Sequence, residues 1–571
     1  MNKKNIFLMV TVLTTLTTLV KADHTNKTFL MPRPSGSVDL PMEVTTWENV
    51  VNRAHKKNNV GAHFQVTGFY NESQCGIKLG KYFGPCGKLA EAPPCPPETT
   101  CPQKGCGGAL FSLQRNRNND TSGAGGTNEK NTFSLAENID LGYIIHKIDV
   151  TANETDKVTF GLNPEHNNAG VRFDYYQDLD CIVNGMFLRA NLPIVHVENN
   201  LNFAVCSGDA TLRQQIRDYF AGNELVLGDA TTPDLNQSQE KLTKAKICGK
   251  QDTTGVADID VALGYKFLDY ATYYASIAVA ITIPTGNEAD GIWLFEPIVG
   301  NGHHFGVGGD IEGMYQIWGD HNSNLKLLFK AKYRYLFESS EKRTLGLKTL
   351  KDGAPSCRSE DCPTDCNGKP IKAERPWGHY TLLGCTGQRS LVPAANITTV
   401  NVQVTPGSQF DTILGLNYVF KGITFDIGYN LYYRESEDVI LMGRSTDNCR
   451  VSCNVDFSNY AVAARGLDTQ KFIPSTTNEF KFAINNASVD GGDVAAATLT
   501  ADQASATGTI VTPRAAETPS QLTHSLYGGL GYVFDKWSLP LMAGIGGKYE
   551  WKDTNAAIQR WGIWGKLGIG F

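Results

Sequence analysis

Beyond its first 22 residues, the 571-residue chain has no apolar stretch approaching the roughly 20 residues that a membrane-spanning helix needs. Any crossing of a membrane must therefore be made by strands closed into a barrel, where every backbone group finds a partner. A long Lys/Arg run is also missing. The formal net charge is -6 and the sequence pI about 6.0, so the cationic surface that would neutralise phosphates is absent and nucleic acid is excluded as a partner. None of the 14 cysteines stands in a CxxC pair, and no His lies at finger spacing. The spacings among Cys357, Cys362 and Cys366, and between Cys449 and Cys453, therefore do not make a zinc pattern, and neither metal nor cofactor is expected. There is no HExxH helix, and the run from Gly544 to Lys548 lacks the spacing and the Ser/Thr of a phosphate loop. His303-His304 reads as a solvated loop end. With no nucleophile beside a positioned base, the chain reads as a non-enzyme.

What is present begins with a three-part leader. Lys3 and Lys4 precede an apolar stretch from Ile6 to Val20, and Val20-Lys21-Ala22 supplies the small-residue site. This pattern predicts a secretory signal peptide over 1-22, cleaved after Ala22. Residues 23-60, with a possible short helix over Met42-Lys57, are expected on the periplasmic side or tucked into the lumen. Sequons at Asn26, Asn71 and Asn396 would matter only in a eukaryotic secreted protein.

Gly is 57 of 571 residues and aromatics are 10%, a mixture suited to many short strands joined by turns. The last strand is the sharpest case. Phe571, Ile569, Leu567, Gly565, Ile563 and Trp561 alternate with Gly570, Gly568, Lys566, Trp564 and Gly562, one face for lipid and one for water. This terminus resembles bacterial outer-membrane barrels, whose final strand ends in Phe with alternate apolar residues. The resemblance implies that Trp561, Ile563, Leu567, Ile569 and Phe571 act as a signal to the barrel-assembly machinery.

Upstream segments obey the same rule. They include Leu539 to Trp551 and Leu522 to Phe534, separated by Asp535-Lys536-Trp537, and Phe410 to Phe420 and Ile423 to Tyr433, separated by Lys421-Gly422. Two more hairpins turn at Gly319-Asp320-His321-Asn322 and at Leu268-Asp269-Tyr270, and weaker strands fall near 61-70, 138-150, 156-163, 167-177 and 183-197. The fold expected is all-β, a transmembrane antiparallel up-and-down barrel over 61-571 with about 14 strands, 12 or 16 being acceptable. Short turns face the periplasm, and long loops near 71-137, 198-255, 339-405 and 436-520 face outward. Cys75, Cys86, Cys95, Cys101, Cys106, Cys206, Cys248, Cys357, Cys362, Cys366, Cys385, Cys449 and Cys453 all fall in those loops, whereas Cys181 does not. They are candidate loop disulfides of undetermined pairing. Cysteine-rich loops on such a barrel resemble, in style alone, the chlamydial-type major outer-membrane proteins. The resemblance at motif level is to the general outer-membrane porin class.

The residues between the lipid-facing ones are predicted to line the lumen: Lys326, Lys330, Lys332, Arg334, Asp310, Glu312, Arg172, Asp174, Arg189, Asp260, Lys266, Asp411, Asp426, Arg434, Lys548, Glu550 and Lys566. Unpaired charge is too costly in a dry interior, so a wet lumen follows. The expected function is a porin passing small hydrophilic solutes or ions by diffusion, embedded in outer-membrane lipid as a possible homotrimer. Two alternatives stand beside it. One is a surface adhesin or antigen on a closed barrel; the other is an apolar-substrate transporter, which a lumen patch of apolar residues and an N-terminal plug would favour.

Overall fold

The computed structural model describes residues 24-46, 61-84, 108-114, 157-206, 210-224, 240-270, 272-320, 323-349, 374-375, 377-385, 391-442, 457, 460-462, 499-500, 509-534 and 539-571. The leader 1-22 lies outside these residues.

The period-two segments form twelve antiparallel strands: β1 (Ala62–Gln74), β2 (Glu165–Asp178), β3 (Met186–Asn200), β4 (Ile259–Tyr270), β5 (Tyr273–Ile283), β6 (Gly306–Gly319), β7 (Ser323–Leu336), β8 (Gly407–Phe420), β9 (Ile423–Arg434), β10 (Gln521–Phe534), β11 (Leu541–Lys552) and β12 (Gln559–Gly570). Each pairs with its neighbours in the chain, and β1 pairs with both β2 and β12, so the sheet closes on itself. One further strand, Lys250–Val256, pairs with the far half of β3 and stands outside the ring.

Twelve strands, rather than about fourteen, make the wall. Of the two surplus segments, 138-150 lies outside the described residues. The other, observed as Lys157–Leu162, pairs with Ala109–Gln114 and Ala204–Val205 in a separate three-stranded sheet. Its alternation is real, but what buries Phe160 and Leu162 is a core formed by the loops rather than lipid. Periodicity reports that one face is covered, not by what.

Outward residues are apolar and bare. Val279 is 70% exposed, Leu567 and Ile545 65%, and Ile427 63%. A continuous band of such side chains exceeds what a water-soluble monomer leaves uncovered. Aromatic side chains flank it near both ends of the strands, Tyr270, Tyr315, Trp318, Phe420, Phe534 and Phe571 toward one and Phe305, Tyr333, Tyr335 and Phe337 toward the other. That is the arrangement of a lipid-embedded barrel with interfacial girdles.

At one end the strands are joined by short connections. Lys421 and Gly422, at φ +48° and +89°, make the two-residue turn whose handedness suits twisted strands. The hairpin expected at Leu268-Asp269-Tyr270 instead turns past Tyr270, because a bulge between Lys266 and Leu268 carries β4 further. The turn at Asp535-Lys536-Trp537 lies outside the described residues. At the other end the long loops build a cap of small sheets around a dense aromatic core that includes Phe83, Phe160, Phe220, Phe295, Trp377 and Tyr380. His304, far from solvated, is fully buried there and bonds the Phe337 carbonyl and Glu341, each at 2.8 Å.

Candidate functional site

The site is the lumen itself, and residues 24-46 occupy it. This segment starts among the cap loops, where His24 N donates to Asn555 Oδ1 at 2.7 Å, and descends between the strands to Thr46, whose N–H donates to Asp426 at 3.0 Å. Partway down it forms a single helical turn, α1 (Leu40–Val44). Asp39 caps the turn, accepting from Met42 N at 3.5 Å, and Pro41 sits in its first turn, where its missing N–H costs nothing.

The three charged side chains that the segment carries into the lumen, Arg33, Asp39 and Glu43, each meet opposite charge from the wall. Arg33 reaches Asp411 at 3.0 Å and Glu550 at 3.5 Å, and its guanidinium lies 4.5 Å from the centre of the Tyr432 ring. Asp39 binds Lys548 at 2.5 Å. Glu43 takes three cations: Lys330 at 2.8 Å, Lys332 at 2.7 Å and Arg172 at 2.8 Å. Below the turn, Lys566 donates to the Glu43 and Thr45 carbonyls at 3.1 and 2.7 Å. Thr45 and Thr46 lie against Gly529 and Gly531, where a Cβ on either wall residue would collide with them.

The apolar side of the same turn has its own seat. Leu40, Met42 and Val44 pack with Phe69, Tyr274, Met314, Leu328, Ile413, Tyr527 and Trp564, all projecting inward from the wall. These are the functional residues that alternation alone does not find. Their trace in the sequence is an apolar residue out of phase beside one in phase, as in Leu327-Leu328, Ile413-Leu414 and Ile563-Trp564.

The seventeen residues read as lumen-facing stand on the inner side of their strands, and among the described residues what they meet is the plug and one another rather than an open column of water. Besides those holding the segment, Arg334 pairs with Asp260 and Asp310, both at 2.6 Å, Arg172 with Asp174 at 2.6 Å, Arg189 with Glu312, and Lys330 with Glu312 at 2.7 Å. Arg434 turns to Glu437 at 2.9 Å beneath the cap, Lys266 lies over the Tyr176 ring, and Lys326 is half-buried near the short-turn end. Two cavities beside the plug measure only about 30 and 20 Å³. The counter-charges come from the chain itself: Lys330 pairs across the wall with Glu312, and the plug carboxylate Glu43 adds to what the wall supplies.

Among the other candidates, Ile563, Leu567 and Phe571 are exposed on the outer face of β12, with Trp561 and Ile569 partly so, and β12 closes the ring against β1. Cys75, Cys181 and Cys248 are exposed free thiols. Cys206 is buried and engaged, and Cys385 sits in a cap strand. The remaining loop cysteines, Cys86, Cys95, Cys101, Cys106, Cys357, Cys362, Cys366, Cys449 and Cys453, lie outside the described residues. Asn26 and Asn71 are buried, Asn71 bonding Asn168 at 2.8 Å inside the barrel, which leaves neither open to a glycan.

No family model matches the chain, and no curated protein does. Among solved structures it is similar to an outer membrane channel from Pseudomonas putida F1, with TM-score 0.31 and 9% identity over 90% of this chain and 96% of that one. It is also similar to the Pseudomonas putida toluene transporter TodX, with TM-score 0.28 and 7% identity over 97% and 98% of the two chains. A third is a Pseudomonas aeruginosa FadL homologue, with TM-score 0.26 and 7% identity over 95% and 99%. Likeness at this level assigns neither family nor substrate, so the lumen residues must carry the functional reading.

Proposed function

We propose that this chain is a bacterial outer-membrane channel for small apolar solutes, held closed by its own N-terminal segment. The observation that carries the reading is the apolar turn Leu40–Val44 seated on inward-facing Tyr274, Met314, Leu328, Ile413, Tyr527 and Trp564. A channel for hydrophilic diffusion has no use for such a ring, since apolar surface in a wet pore is stabilised only when something apolar covers it. Here the plug covers it, and an apolar solute of similar bulk would take the place of Leu40, Met42 and Val44 once the plug withdraws. The charges around the ring hold the plug in place. No chemical step on the solute is part of this reading.

The test is influx into proteoliposomes. Naphthalene influx through the intact protein, reduced in Leu328→Asn and Ile413→Asn while the barrel stays folded on a gel run without boiling, supports the proposal. Sucrose influx through the intact protein, unaffected by those substitutions, overturns it in favour of an open porin. Surface binding with no influx of either solute would favour the adhesin reading instead.

A further inference from the structure

The plug is tied down at a second place, far from the ring it covers. Residues 24-31 are woven into the cap by backbone pairing: Asn26 N donates to Gly84 O at 3.0 Å, Lys27 N to Tyr82 O at 3.1 Å and Thr28 N to Ala515 O at 2.9 Å. Side chains add to this. Asn26 Oδ1 accepts from Trp377 N at 2.5 Å, Thr28 Oγ1 donates to Thr344 O at 2.5 Å, and Met31 is gripped on both sides, its N–H by Thr518 at 3.0 Å and its carbonyl by Gln521 at 2.8 Å. The Arg343 guanidinium lies 3.2 Å from the centre of the Phe29 ring, and Leu30 is part of the aromatic cap core. The partners come from three separate loops: Tyr82 from that between β1 and β2, Thr344 and Trp377 from that between β7 and β8, and Ala515 from that between β9 and β10.

From these contacts we infer that residues 24-46 form a strap through the barrel that makes cap and gate one cooperative unit, so that the channel is opened from the long-loop end. The physical reason is continuity. Only Pro32 separates the last cap contact, at Met31, from the first lumen ion pair, at Arg33. Proline fixes one backbone angle and leaves little slack between the two grips. Moving α1 off its ring strains the Met31 contacts, and loosening the cap frees Arg33. Coupling of this kind is reciprocal: the factor by which releasing the cap favours release of the gate equals the factor by which releasing the gate favours release of the cap. Rearrangement of the cap by an arriving solute or surface ligand would thereby release the plug.

The inference rests on the plug being movable, as the proposed function requires, but its test reads the strap and not transport. Hydrogen exchange of the full chain in detergent micelles is followed for two peptides, 26-31 and 38-46, in the native protein, in Asn26→Ala/Thr28→Val at the cap end and in Glu43→Gln at the gate end. Each variant loses contacts worth roughly a tenfold change in an opening equilibrium. The expected result is a rise of about tenfold in exchange of both peptides in both variants. Faster exchange confined to the substituted end, or no change in either peptide, overturns the strap. Should the cap variant not fold, Glu43→Gln alone decides, because it must loosen 26-31 without touching it. Failure of naphthalene influx with coupled exchange intact would remove the apolar-solute reading and leave the strap standing.

Discussion

The two faces of the barrel wall obey opposite rules. On the outer face one apolar side chain serves as well as another: Val279, Ile427, Ile545 and Leu567 touch little of the chain, and only their hydrophobicity and depth matter. On the inner face each residue has an assigned partner, as Lys330 has Glu43 and Glu312, and Lys548 has Asp39. A uniform solvent demands composition, while a plug of one particular sequence demands complementarity.

Removing the plug tests this contrast most severely. Deletion of residues 24-46 should convert a silent protein into one giving discrete current steps in planar bilayers, because the inner charges then border water. A silent deletion variant that still shifts with heating would refute the plug's role. Next in size, Lys330→Met leaves Glu312 and Glu43 each short of a buried cation, for which we expect a loss of about 3-5 kcal/mol in urea unfolding. Ile545→Arg at the outer face should cost about 2-4 kcal/mol in the same assay, whereas Ile545→Leu should be neutral within error. If Ile545→Leu proved as harmful as Lys330→Met, the two faces would not differ as described.

The smallest effect concerns the cap and pH. Burial, with Asp290 adding to it, pushes the Glu296 carboxyl up to about 8. An acid whose folded pKa exceeds its unfolded one, near 4.5 here, binds more protons in the folded state, so stability falls as pH rises from about 4.5 to about 8. Protection of residues 285-300 against exchange, corrected for the intrinsic rate, should decline over that window. Glu296→Gln should flatten the decline, and an unchanged slope in that variant would exclude Glu296 as its source.

This contrast also explains what the sequence discloses. Alternation distinguishes Tyr333 outside from Lys330, Lys332 and Arg334 inside, because strand geometry sends neighbours to opposite faces whatever they meet. It cannot show that the partner of Lys330 and Lys332 is Glu43, since that residue sits in a segment with no period of its own. The strand count erred for a related reason: Lys157–Leu162 has the pattern of a wall strand but is covered by loops. The ring residues Leu328, Ile413 and Trp564 stand in the sequence as apolar residues on the wrong phase, which period-two alternation by itself does not mark as a site.

Closure of the ring has a consequence for biogenesis. The seam runs between β1 and β12, the first and last strands of the barrel, so the ring stays open until Gln559–Gly570 is in place. Residues 24-46 precede β1 and end up enclosed, so they must be inside when the seam zips, or be drawn in afterwards through a finished cylinder. The first route demands much less, and it assigns to a segment made before β1 the task of waiting for β12.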